Sequence, residues 1–539
     1  MTVENKTIHT YRKPKRVFEK SGMVNPEMSY YVPLENVVNT DNQDIQTMID
    51  RGRYFSIFAP RQSGKTTFFK ETCRQLHRDP TYVTIKLSFQ DYKSLNKSQF
   101  YALIQQELYE QLLLRLEEVN CEKTNEVKQF LKDHHLTDHI SFRLLFEKLN
   151  QLIQFKKIVI FIDEFDGIPV SELENFLTSI RGLYQKYKEV KQKALYSVGL
   201  VGIRNITKLV VGGVSPFNIA DQVQLPSFSL ENVRRLYQQY TEETNQPFTQ
   251  VAVKKVYEET AGQTWLVNRL ATILTINIKP ATIEPINEKD VETAIRVLLS
   301  ERNDHFDNLY EKAKEYKETF VQVVFDHVKY RADHEDLSCL EQHGLIKKKG
   351  DLAVVANNIY KARYVETFFD EVNVSLSGEI PITDYLLPNG SIDMKRLLLN
   401  FNQYIAQIGV NAFHEKKKPY EKTGEFLLTA FLYQFAGKGK GELRYQVKTG
   451  LGIMDIILTY NERKYIIETK VNRFDDITVI QQEGITQLTG KYLAPEAVDE
   501  GFLVIFDTKT HVGALCTPQV HQLENHKITS FKIGIGRPG

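Results

Sequence analysis

The sequence predicts an α/β protein, and three observations carry that expectation. Short apolar runs alternate with helical patterns through the first 230 or so residues, a glycine-containing loop joins one such run to a helix, and strands return after residue 420 behind a helical middle. This alternation is the signature of a doubly wound parallel sheet. At 539 residues the chain exceeds a single core, so roughly three or four domains are expected. With 42% apolar and 25% charged residues it has the composition of a globular protein and not of a disordered one. It has no run of eighteen apolar residues, and Met1–Arg16 is polar and basic, so neither a membrane span nor a secretory signal is expected. Four cysteines (Cys73, Cys121, Cys339, Cys516) stand singly, as in a cytoplasmic protein with reduced thiols. The net charge of +1 confines any nucleic-acid contact to local patches.

In chain order, residues 1–28 are polar, carry Arg12-Lys13-Pro14-Lys15-Arg16, and read as an arm. Residues 29–228 form the α/β core: strands are expected at Phe55–Phe58, Thr81–Phe89, Lys157–Ile162 and Ser197–Ile203, and a helix from near Lys65. Phe100, Leu103, Ile104, Leu108, Leu112 and Leu116 recur at helical spacing. Residues 229–300 lose the strand signal and read as amphipathic helices. In residues 301–374 helices precede Gly344-Leu345-Ile346, a charged turn Lys347–Asp351 and a strand Leu352–Val355, the pattern of a winged helix. Residues 375–539 open on a linker near Ser375–Asp384, continue in a helix around Gly424–Phe435 and end in strands, a second α/β domain.

The strongest motif is Ala59-Pro60-Arg61-Gln62-Ser63-Gly64-Lys65-Thr66-Thr67, which departs from G-x-x-x-x-G-K-[ST] only at Ala59. Set between a strand and a helix, its backbone N–H groups can wrap phosphates. Lys65 is placed to reach the β- and γ-phosphates of ATP and Thr66 to hold Mg²⁺. Alanine is tolerated at the first position if its φ stays below zero. About a hundred residues later, Ile158–Ile162 runs into Asp163-Glu164-Phe165-Asp166 and puts two carboxylates at the C-terminal end of a buried strand, where α/β ligands bind. Asp163 suits the organisation of Mg²⁺, and Glu164 the polarisation of an attacking water.

With Tyr30-Tyr31-Val32-Pro33 and Ser215-Pro216-Phe217-Asn218-Ile219-Ala220, these stretches resemble the AAA-like ATP-binding domains of prokaryotic STAND-type proteins. The resemblance implies a P-loop ATPase core followed by a helical lid that carries Gly262-Gln263-Thr264-Trp265-Leu266-Val267-Asn268. Thr264 stands where that family often has proline, which leaves the lid's nucleotide contact open. The resemblance further makes Asn205 a candidate sensor, and Arg204 and Arg269 candidate γ-phosphate sensors.

After residue 420 a second constellation appears. Glu425 lies on an amphipathic helix with Phe426, Leu427, Phe431 and Leu432, Asp455 opens the strand Ile456-Ile457-Leu458, and Tyr465–Val471 forms another strand with Glu468 and Lys470 on one face. A hairpin can bring Asp455 beside Glu468, and paired carboxylates suit Mg²⁺ or Mn²⁺. A cross-strand ion pair on a solvated face is the alternative. The pattern resembles the PD-(D/E)XK nucleases, with Met454 where the naming proline would stand and Gln487 matching a glutamine of the following helix. That resemblance implies a restriction-endonuclease-like domain, with Asp455, Glu468 and Lys470 catalytic and Glu425, Asp455 and Glu468 holding the metal. Asp133-His134-His135 with Asp138 and His139 reads as cap and loop chemistry, and the lysine clusters at 347–349, 416–418 and 438–440 as solvated turns or phosphate contacts. Together these readings describe an ATP-driven switch that gates a DNA endonuclease, with defence against foreign DNA implied by resemblance alone. A signalling ATPase whose C-terminal domain only binds a partner, and a motor-type ATPase, stand as alternatives. Homo-oligomerisation stays open.

Overall fold

A computed structural model describes residues 10–153, 156–190, 195–203, 219–325, 328–374, 382–408, 423–436, 441–449, 452–473, 476–523 and 525–536. The chain divides into two compact units, one of residues 1–314, 331–347 and 356–359, the other of residues 315–330, 348–355 and 360–539.

The first unit is built on five strands, β1 (Tyr54–Phe58), β2 (Tyr82–Ser88), β3 (Lys157–Asp163), β4 (Ser197–Gly202) and β5 (Asp221–Gln224), in the order β2-β3-β4-β1-β5. Every neighbouring pair is parallel, so all five strands end at one edge of the sheet. The alternation of side chains divides the apolar run of β3 between two cores. Ile158, Ile160 and Ile162 join the core formed with the helices Lys97–Glu118, His139–Leu152 and Val170–Val190. Val159 and Phe161 join Phe69 and Leu76 of the helix Lys65–Leu76 on the opposite face. A strand buried on both faces reads as a continuous apolar run, which is why this one is visible in the sequence. Each such side chain contributes about 1.5–3 kcal/mol by leaving water.

Strand β5 was not expected: Asp221-Gln222-Val223-Gln224 is short and polar, and it occupies an edge where only Val223 is fully buried. The helices Leu230–Thr244, Gln250–Thr260, Thr264–Thr272 and Glu288–Ser300 follow, the first capped by Ser229 in a reciprocal box with Asn232. Gly262 (φ +74°) enters the third of these helices, and a Cβ there would lie 1.9 Å from the Phe228 carbonyl oxygen. Residues 10–28 do not form a free arm. Phe18 is buried against Tyr30, Tyr237 and Tyr240, and Arg16 pairs with Glu243, so the segment is fastened to the helix Leu230–Thr244.

Strands β6 (Ile346–Lys349) and β7 (Leu352–Val355) form a two-stranded sheet. Lys347–Lys349, expected in the turn, belong to β6, where all three are exposed in a two-stranded sheet. The second unit carries β8 (Gly441–Thr449), β9 (Gly452–Tyr460), β10 (Arg463–Asn472), β11 (Glu500–His511), β12 (Gln519–Gln522) and β13 (Lys527–Gly536), ordered β12-β13-β11-β10-β9-β8. β8, β9 and β10 form an antiparallel meander, and β11 pairs parallel with both β10 and β13. The helix Thr423–Ala436 precedes the meander and Ile477–Gln487 connects β10 to β11. Asp455 lies within β9 and not at its start, because the antiparallel ladder extends the strand back to Gly452.

Candidate functional sites

Three backbone features shape the loop between β1 and the helix Lys65–Leu76. Ala59 keeps φ below zero, so the alanine brings no strain, whereas Gln62 (φ +55°) and Gly64 (φ +86°) are left-handed and turn the chain sharply. Ser63 closes the turn, its hydroxyl donating to the Pro60 carbonyl at 2.8 Å. Lys65 is buried, and its ammonium donates to the carbonyls of Ala59 and Pro60, both at 2.8 Å. Burial pushes its pKa down, against the pull of Glu164, Asp163 and Asp166. Thr66, at the start of the same helix, donates through its hydroxyl to Asp163 Oδ2 at 3.0 Å.

The parallel sheet brings Asp163 there, since β1 and β3 end at the same edge with β4 between them. Glu164 leaves the strand in a left-handed conformation (φ +49°), its N–H donating to Asp163 Oδ1 at 2.9 Å. Glu164 is half-buried, and burial raises its pKa, which Lys65 counters. Asp166 faces the neighbouring strand, where its carboxylate accepts from the Ile203 N–H and lies against Gly202, which anchors the end of β4.

Beside the loop is an open cavity of about 100 Å³, reached from Gly64, Thr67 and Phe68 and walled by Tyr31, Trp265 and Asn268 among others. Lys20, Ser21, Gly22 and Val24 border it too, with the Trp265 indole donating to Lys20 O at 2.8 Å and the Val24 N–H to Thr67 Oγ1 at 3.1 Å. Thr264 donates to the carbonyl of Gln62 at 2.8 Å, which ties the helix Thr264–Thr272 to the loop. A phosphate-wrapping loop, a threonine–aspartate pair suited to Mg²⁺ and an adjoining cavity are the parts of a nucleoside-triphosphate site.

A family model described as an AAA-like domain matches residues 19–367, more than half of the chain. The chain belongs to the AAA-like domain family. Its residues 19–367 are therefore a P-loop ATPase domain that binds ATP, with Mg²⁺ implied. Among solved structures, it is similar to a Walker-type ATPase of Pyrococcus abyssi (10% identity, TM-score 0.41, 61% of this chain and 98% of that one). It is also similar to a RuvB variant of Thermotoga maritima (13% identity, TM-score 0.30, 59% and 89%) and to Cdc6p of Pyrobaculum aerophilum (10% identity, TM-score 0.31, 58% and 85%). No curated protein matches the sequence.

Within the AAA-like domain, Arg61 extends to Asn308 Oδ1 at 3.0 Å, and Arg269 forms a two-pronged pair with Glu301. A γ-phosphate contact by Arg269 therefore requires exchange of that carboxylate. Arg204 and Asn205 lie outside the described residues, as do residues 215–218 and the lysines at 416–418 and 438–440. Asp138 caps the helix His139–Leu152 by accepting from the Ile140 and Ser141 N–H groups. Residues 20–24 carry no motif that marks them as site residues, whereas Thr264 and Trp265 belong to the lid stretch Gly262–Asn268 whose nucleotide contact the sequence left open.

In the second unit, β10 turns Glu468 and Lys470 to one face. Lys470 donates to Glu468 Oε1 at 2.6 Å and to Gln487 Oε1 at 2.7 Å, and Gln487 donates in turn to the Tyr492 hydroxyl at 2.7 Å. Glu468 is 1% exposed, while Lys470 keeps its head partly open to solvent at 23%. Asp455 is buried on β9 and accepts from both the N–H (2.8 Å) and the hydroxyl (2.7 Å) of Thr469. Glu425 is buried on the helix Thr423–Ala436. Among the described residues no three His, Cys, Asp or Glu side chains converge as metal ligands. No helix among them is long and apolar enough to cross a membrane.

Proposed function

We propose that the AAA-like domain binds and hydrolyses Mg²⁺–ATP and that its nucleotide state governs a DNA endonuclease in the second unit. The observation that carries the first half is the hydrogen-bonded set at one sheet edge: buried Lys65, Thr66 joined to Asp163, and half-buried Glu164. Lys65 would exchange its two carbonyl partners for β- and γ-phosphate oxygens. Thr66 and Asp163 supply oxygen donors that suit Mg²⁺, which when bound neutralises phosphate charge. Glu164 would orient the attacking water.

Support for the second half comes from the order helix, three-stranded meander, helix, parallel strand, which sets Asp455, Glu468, Lys470 and Gln487 on adjoining elements. Asp455 and Glu468 have the donor chemistry for Mg²⁺ or Mn²⁺, a hard cation that takes one or two carboxylates and completes its shell with water and phosphate. Such a cation supplies polarisation of a phosphodiester. Lys470 would stabilise developing negative charge, held in place by Gln487. A second reading, binding of nucleic acid without cleavage, draws on the engagement of Lys470 by Glu468 and of Asp455 by Thr469. A role in defence rests only on resemblance. The test is cleavage of plasmid DNA with and without Mg²⁺, ATP and EDTA. Mg²⁺-dependent nicking that responds to ATP supports the proposal; DNA binding without cleavage supports the second reading; ATP turnover alone removes both.

A further inference from the structure

We propose that Asn268 chooses the base of the bound nucleotide, its side-chain carbonyl accepting a hydrogen bond from the exocyclic amine of an adenine-type base. The proposal rests on the reading of the P-loop as a triphosphate site and adds the origin of base preference.

Asn268 lies one turn after Thr264, is 7% exposed and contributes to the cavity wall. Its Nδ2 donates to the Thr264 carbonyl at 2.9 Å. That carbonyl can only accept, so the amide cannot be turned over without setting two acceptors face to face, and the position of Oδ1 is thereby fixed. Oδ1 is withdrawn from water and receives no hydrogen bond. Buried acceptors are nearly always paired, and this one belongs to a residue of the cavity wall, so a donor on a ligand is the partner the proposal supplies. The aromatic side chains of Tyr31, Phe68 and Trp265 border the same cavity and suit the faces of a flat ring. Gly64 and Thr67 belong both to the P-loop and to the cavity lining, so a nucleotide with its phosphates on the loop carries its base toward Asn268. Adenine presents an amine at position 6. Hypoxanthine and guanine present a carbonyl there, which would oppose Oδ1 with a second acceptor.

The experiment compares three Mg²⁺-complexed probes on the full chain: ATP, purine riboside triphosphate, which lacks only the amine, and inosine triphosphate, which replaces it with a carbonyl. Binding is measured by calorimetry. The native chain is expected to bind ATP about tenfold more tightly than purine riboside triphosphate, and inosine triphosphate about a hundredfold more weakly than ATP. Asn268→Leu is expected to bring ATP and purine riboside triphosphate within about twofold of each other, with the affinity for the latter little changed. The comparison of probes on the native chain needs no variant, so it stands even if Asn268→Leu fails to fold. Equal affinity for all three probes, or an undiminished preference in Asn268→Leu, overturns the role of Asn268 and leaves the P-loop reading intact. A native chain that binds none of the three overturns both.

Discussion

Lys65 occupies surroundings that work against its own charge. Burial lowers its pKa, and the carboxylates of Glu164, Asp163 and Asp166 keep the ammonium form favoured. Its two carbonyl partners are neutral, so replacing them with phosphate oxygens exchanges ordinary hydrogen bonds for charge-assisted ones. Lys65→Ala is expected to weaken Mg²⁺–ATP binding by about 3 kcal/mol, roughly a hundredfold, as read by calorimetry. Unchanged affinity would remove Lys65 from the site. Glu164→Gln keeps the shape but not the charge: binding should stay within about threefold while turnover falls about a hundredfold or more. Burial raises the pKa of Glu164 above its ordinary 4.5. Because the ionised carboxylate does the work, turnover should decline as pH falls through that raised value, and Glu164→Gln should lack this acid limb. A rate profile of the same shape in both proteins would argue against Glu164 as the water-orienting group. At this scale the sequence was informative where chemistry is contiguous. Ala59–Thr67 and Asp163-Glu164 are local motifs, whereas Thr264 and Asn268 owe their position to a tertiary turn at Gly262.

Among the elements, the helix Thr264–Thr272 carries the only tryptophan of the chain, stacked on buried His305 with ring centroids 4.3 Å apart. Burial lowers the His305 pKa from 6.5 to about 3. Below pH 6.5 the unfolded chain therefore takes up a proton that the folded chain refuses, and stability falls as pH drops toward 3. Between pH 7 and pH 5 the loss from this one group should reach about 2 kcal/mol. Urea unfolding followed by Trp265 fluorescence at several pH values would measure it, and His305→Phe should flatten the slope; an equally steep slope in the variant would assign the effect elsewhere. Elements buried on both faces, such as β3, were legible in the sequence because their apolar runs are continuous. β5 was not, since an edge strand with one fully buried residue carries almost no pattern. The extent of β9 escaped for a related reason: its pairing with β8 and β10 sets its length, and local sequence does not.

For the whole molecule, the proposed coupling separates two sites that share no residue and belong to different compact units. Lys470→Ala should abolish DNA cleavage while ATP turnover stays within about twofold, as expected for sites that share no residue. Lys65→Ala should change cleavage with Lys470 intact, because ATP moves a two-state equilibrium only by its differential affinity, and a nearly complete shift takes about 5.5 kcal/mol. Cleavage by Lys65→Ala at the native rate, with and without ATP, would mean that the units are merely tethered. In the division into compact units, residues 331–347 and 356–359 belong with the first 314. Contact partnerships between segments remote along the chain leave no local trace in composition or periodicity. This interleaving also has a consequence during synthesis on the ribosome. The AAA-like unit cannot be finished when residue 314 emerges, because its last pieces come 17 to 45 residues later, threaded between stretches that belong elsewhere. At roughly 5–20 residues per second, the growing chain waits a few seconds with that part of the first unit's surface uncovered. A nascent chain stalled just before residue 331 should therefore be more open to protease than one stalled beyond residue 359.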